Sequence, residues 1–120
     1  MIADFHVFWG WVAVGLCGIA GLWGLVLALA KRQPGRVFTI AAGMGIAAIL
    51  IQVGAGLVLL GQGLEPGTFH VFYGVVILFT LSFAYIYRAQ LARRPALAWG
   101  LILLFVMGLG IRAITTFTPT

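Results

Sequence analysis

Phe5-His6-Val7-Phe8-Trp9-Gly10, continued without a charged side chain as far as Ala30 and closed by Lys31-Arg32-Gln33-Pro34-Gly35-Arg36, is the stretch that decides the fold. A helix needs about 20 apolar residues to cross a hydrocarbon core of about 30 Å. The run exceeds that, then meets basic side chains and a Pro-Gly breaker. Three further apolar segments follow, at about residues 37–61, 69–87 and 96–116. The connections between them are short. The expected fold is therefore an all-α membrane protein: four transmembrane helices in an up-down-up-down bundle. The whole chain, residues 1–120, reads as a single domain.

Composition agrees. Hydrophobic residues make up 63% of the chain, charged residues 8%, and the mean hydropathy is +1.18. A soluble domain of this size needs a polar surface that nine charged side chains cannot provide. The net charge of +5 does not indicate nucleic-acid binding, because the basic residues sit in clusters between apolar runs. The first run is not read as a cleaved signal peptide, since Met1-Ile2-Ala3-Asp4 lacks a positive charge and the run is too long. The single Cys17 is read as a small buried hydrophobe.

Lys31, Arg32 and Arg36 occupy the first connection, and Arg88, Arg93 and Arg94 the third. Basic loops stay on the cytoplasmic side. Both termini and the second connection are then expected on the non-cytoplasmic side of a bacterial-type plasma membrane.

The chain also repeats itself. Phe69-His70-Val71-Phe72-Tyr73-Gly74 differs from the opening hexapeptide only in Tyr73 for Trp9, and a basic pair follows at a similar offset in each half. Two helical hairpins in tandem, about residues 1–61 and 62–120, preserve orientation and form parallel repeats. His6 and His70 are the only histidines, and they occupy equivalent positions. Their helices are diagonal in a simple bundle, so a pseudo-two-fold axis turns both imidazoles toward the centre at the same depth. Facing histidines are what an axial haem pair requires.

Gly10 and Gly74 lie one turn below the two histidines and on the same faces, where they would clear space for a porphyrin edge. Ala13, Cys17, Gly21 and Gly24 continue the first face, and Ala41, Gly45, Ala48, Gln52 and Gly56 form a similar stripe on the second helix. Stripes of this kind also serve close helix packing. Gln52 is placed either to donate to the cofactor or to bond across helices. Arg112 either pairs with a haem propionate or snorkels to the interface. Asp4 is a candidate acceptor for an imidazole or a helix N-cap, and Glu65 lies in the second connection. Two histidines without a nearby carboxylate or thiolate cluster do not complete a zinc or iron site by themselves.

Ile51-Gln52-Val53-Gly54-Ala55-Gly56-Leu57, a short loop, and His70 at the next helix start resemble part of the haem A synthase family. That family is built of two four-helix bundles, each with a histidine pair near the outer face. The resemblance covers about residues 4–78 and implies that His6 and His70 are axial ligands. The chain departs from the family pattern around the first histidine. The family has Glu three residues before it and Arg directly after; here Asp4 is two before and Val7 follows. With one bundle rather than two, synthase activity is not carried over.

The expected function is a membrane protein with haem b held by His6 and His70, acting in electron transfer as a carrier or a subunit rather than a stand-alone enzyme. Its expected partners are the lipid bilayer, other membrane subunits or further copies of itself, and a quinone or an outer redox protein. Two other functions fit the same composition. One is a cofactor-free accessory subunit of a membrane complex. The other is a small transporter, disfavoured because no Asp, Glu or Lys lies within an apolar segment.

Overall fold

The structure is a computed structural model and describes residues 2–117; residue 1 and residues 118–120 lie outside the described residues. All of its regular elements are helices: α1 (Ile2–Leu29), α2 (Arg36–Gly61), α3 (Thr68–Ile86), the single turn α4 (Arg88–Leu91) and α5 (Pro95–Thr115). Four of them, α1, α2, α3 and α5, are long and apolar enough to cross a membrane. At a rise of 1.5 Å per residue, α3 and α5 extend about 28 and 32 Å, close to the hydrocarbon thickness. By the same rise α1 and α2, with 28 and 26 residues, extend about 42 and 39 Å and so overshoot or tilt. The basic third connection, expected as a loop, contains the extra turn α4.

Helix ends follow from local chemistry. Lys31 takes a left-handed conformation (φ 55°), and Arg32 N–H donates to the Leu27 carbonyl while Lys31 N–H donates to that of Ala28. This is a Schellman stop, with Lys in the place glycine usually fills. Gly63 (φ 90°) stops α2 the same way, with Leu64 N–H reaching the Leu59 carbonyl and Gly63 N–H that of Leu60. Pro95 opens α5, where its missing N–H costs nothing.

The interior is made of small residues and the exterior of large ones. Ala13, Cys17 and Ala20 are almost wholly buried, whereas Phe8, Ile19, Leu22, Phe69 and Phe79 are exposed. No polar or charged residue is buried among the described residues. An apolar exterior around a small-residue interior suits lipid as solvent, where close packing rather than hydrophobic exclusion joins the helices.

The tightest crossing joins α1 and α5. A Cβ at Gly24 would lie 2.8 Å from the Ala96 carbonyl oxygen and 2.9 Å from Gly100 Cα, and one at Gly100 would lie 3.0 Å from the Gly21 carbonyl oxygen. The backbones are in van der Waals contact because no side chain separates them. The Gly21 and Gly24 end of the first stripe is thus used for packing. Cys17 turns to α2, where its thiol donates to the Gly45 carbonyl at 3.4 Å. Around the bundle, α2 packs on α1, α1 on α5 and α5 on α3, while α2 and α3 do not pack closely on each other. Helices α1 and α3 are diagonal. The sequence repeat is therefore not matched by equal packing: the α1–α5 seam is closed by glycines and the corresponding α2–α3 seam is left open.

Candidate functional site

The starts of α1 and α3 and the ends of α2 and α5 meet at one end of the bundle, opposite the basic connections. Between them lies a cavity of about 270 Å³, walled mainly by apolar side chains and adjoining the open α2–α3 seam. His6, His70, Gly10, Gly74 and Gln52 all line it. Arg112 does not. It is exposed on α5, with its guanidinium 5.7 Å from the centre of the Tyr73 ring.

The two imidazoles face each other edge to face across the cavity, with ring centres 6.1 Å apart and planes at 76°. The surroundings of His70 fix its tautomer. Its Nδ1 lies 2.7 Å from the Ala113 carbonyl oxygen, which can only accept, so Nδ1 carries a proton and the neutral ring has its lone pair on Nε2. Ala113 is in the last turn of α5. The Thr116 and Phe117 amides bond to Arg112 and Ile114, so the Ala113 carbonyl takes neither of them; besides the His70 ring, the Thr116 hydroxyl reaches it at 3.5 Å. Phe117 packs its ring edge to face on His70 at 5.3 Å.

His6 is held differently. The Gln52 side-chain amide donates to the main-chain carbonyl of His6 at 2.7 Å, tying the first turn of α1 to α2. This contact needs Gly10, because a Cβ there would lie 2.8 Å from Gln52 Nε2. The space one turn below His6 is therefore filled by the Gln52 amide, whereas beside Gly74 an added Cβ would meet nothing within 4 Å. The His6 ring rests on Gly56, whose Cβ position is 3.0 Å from His6 Cε1. The Gln52 main-chain carbonyl lies beside the ring, but no hydrogen bond closes at Nδ1, and Gln52 Oε1 is also buried without a partner.

Asp4 falls within the first turn of α1 and not at its N-cap, where its charge complements the helix dipole. Two residues from His6, it points to another side of the helix. Trp9 bonds α1 to α2 through Nε1 and the Ala48 carbonyl at 2.9 Å. Ala113 and Phe117 have no counterpart among the residues read from the sequence. The signal available for Ala113 was the end of α5 at the depth of His70, which leaves carbonyls free. Phe117 carries no signal beyond its apolar character.

No group of three or more metal-ligating side chains occurs among the described residues. A metal held here would take two imidazole donors from the protein, with its other positions filled from elsewhere. Two metal–imidazole bonds of about 2 Å each, plus roughly 1 Å from each nitrogen to its ring centre, separate facing rings by about 6 Å. The observed spacing fits that requirement, and so does the protonated Nδ1 of His70, since ligating histidines commonly donate their other nitrogen to a carbonyl.

Fold and composition together define an all-helical, polytopic membrane protein. Compared with protein-family models, curated proteins and solved structures, the chain has no significant match.

Proposed function

We propose that the chain binds haem b through His6 and His70 and works in electron transfer as part of a larger membrane redox assembly. The 6.1 Å spacing of the two imidazoles inside an apolar cavity carries the reading. The resemblance to half of a haem A synthase supports it. Bound haem would supply a one-electron couple. The protein's part would be to offer two imidazoles 6.1 Å apart, to direct the proton of His70 to Nδ1, and to surround both rings with side chains that exclude water. Ligand cavities run to about 300–1,000 Å³. At about 270 Å³ the site falls just below that range, and the loosely packed α2–α3 seam gives it a direction in which to widen.

By the positive-inside rule the histidine end faces outward across a bacterial-type plasma membrane. A single site at that end reaches only one surface, so a quinone or an outer redox protein is the natural exchange partner. The test is the reduced-minus-oxidised visible spectrum of the detergent-purified protein, expressed with ample haem. A sharp low-spin b-type band that His6→Ala and His70→Ala both abolish is the expected result. Absence of any Soret absorption would overturn the reading.

One observation favours a second reading, an accessory subunit packed on other helices. Gly43, Ala47 and Gly54 share the outward face of α2, and nothing lies within 4 Å of a Cβ added at either glycine. Small residues on a lipid-facing surface suit a helix from another chain. Under that reading, replacing His6 leaves assembly unchanged.

A further inference from the structure

The two histidines are related by the sequence repeat but are not held alike. The His70 imidazole is fixed at three places: Nδ1–H on the Ala113 carbonyl, an edge-to-face contact with the Phe117 ring, and its backbone in α3. Donation to a carbonyl orients a ligating imidazole and makes its other nitrogen a better donor. His6 lacks that support. The Gln52 amide grips its main-chain carbonyl, and although the Gln52 main-chain carbonyl lies beside the ring, no hydrogen bond closes at the buried Nδ1. The Nε2 lone pair is therefore held less firmly at His6 than at His70, where the bond to the Ala113 carbonyl is closed at 2.7 Å. A buried unpaired donor is also unfavourable, and turning the ring would relieve it.

Resting on the haem reading above, we propose that His70 is the anchoring ligand and His6 the exchangeable one, so that a small neutral ligand such as carbon monoxide enters the iron's coordination sphere in place of His6. With haem bound, the bond from His6 to iron would give way to one from carbon monoxide, with no electron exchanged. The displaced imidazole turns about its side-chain torsions while Gln52 keeps the α1 backbone in place.

Carbon monoxide is added to the dithionite-reduced wild-type protein and to His6→Gly and His70→Gly, and haem retention and the Soret band are followed. The wild-type protein is expected to form a carbon monoxide adduct without losing haem. His6→Gly is expected to keep haem in a five-coordinate state that takes carbon monoxide faster, and added imidazole restores its low-spin spectrum. His70→Gly is expected to retain haem about 10–100-fold less well, the range associated with lost supporting contacts at metal sites. Circular dichroism of both variants separates ligand loss from unfolding. Wild-type protein that holds haem but refuses carbon monoxide overturns the proposal, as do variants that lose haem equally or in the reverse order. Wild-type protein without haem overturns the haem reading itself, a result distinct from either of these.

Discussion

The Gln52 side-chain nitrogen lies 2.8 Å from where a Cβ of residue 10 would be, and from there donates to the His6 carbonyl at 2.7 Å. Glycine at position 10 and glutamine at position 52 are thus one device, joining the start of α1 to the upper half of α2. Gly10→Ala cannot be absorbed by a free swing of Gln52, because that swing breaks the hydrogen bond. The expected cost is about 1–3 kcal/mol, the range for overpacking. Thermal unfolding in detergent followed by circular dichroism measures it. A melting temperature equal to that of the wild type would show that the amide moves aside freely.

Changes at Gln52 itself separate space from hydrogen bonding. Gln52→Leu loses the bond to His6 but also removes the unpaired Oε1. Hydrogen bonds between membrane helices average only about 0.6 kcal/mol, so the net change is expected to be within about 1 kcal/mol. Gln52→Ala instead empties the space beside Gly10 and is expected to cost about 2 kcal/mol or more. If the leucine variant loses as much as the alanine variant, the hydrogen bond, absent from both, outweighs the packing.

Much of this arrangement was legible in the sequence. The four spans come from the length of uninterrupted apolar runs, and the histidine pair from the hexapeptide repeat. The use of the glycines was not. Spacing shows which residues share a face, but not which neighbour fills the space that a glycine leaves. Gly10 and Gly74 are equivalent in the repeat, yet one meets an amide and the other meets nothing. The closed α1–α5 seam and the open α2–α3 seam likewise depend on contacts between chain segments far apart in sequence. Ala113 acts through its main chain, which no side-chain pattern reveals.

The α1–α5 crossing gives a sharper stability test. At Gly24 an added Cβ meets the Ala96 carbonyl and Gly100 Cα, both backbone atoms that cannot rotate away. Gly24→Ala is expected to lose about 1–3 kcal/mol. At Gly54 nothing lies within 4 Å, and alanine is the better helix former by up to about 1 kcal/mol. Gly54→Ala is therefore expected to melt at or slightly above the wild-type temperature. Equal losses at the two positions would contradict the tight crossing.

Topology is testable with the chain's own cysteine as background. Cys17 is wholly buried, so it is expected to resist a membrane-impermeant maleimide. Gln33→Cys then reports the basic side and Thr68→Cys the histidine side, both positions being exposed. Labelling of Thr68→Cys, but not Gln33→Cys, in intact cells is expected from the charge bias. The opposite pattern would reverse the orientation and move the histidine end to the cytoplasm.

Gly74→Leu separates the cavity from the fold. Gly74 lines the cavity, and an added Cβ meets no neighbour within 4 Å, so the larger side chain has room to enter without pushing helices apart. The unfolding temperature of the cofactor-free variant is expected to match that of the wild type. Haem binding, read from the Soret band at equal protein concentration, is expected to fall sharply, because leucine takes up the space beside His70 that a macrocycle needs. A smaller loss in Gly74→Ala would show that volume is the cause. Full haem retention in Gly74→Leu, with the histidine variants still losing it, would mean that the ring plane approaches from the Gly56 side of the cavity instead.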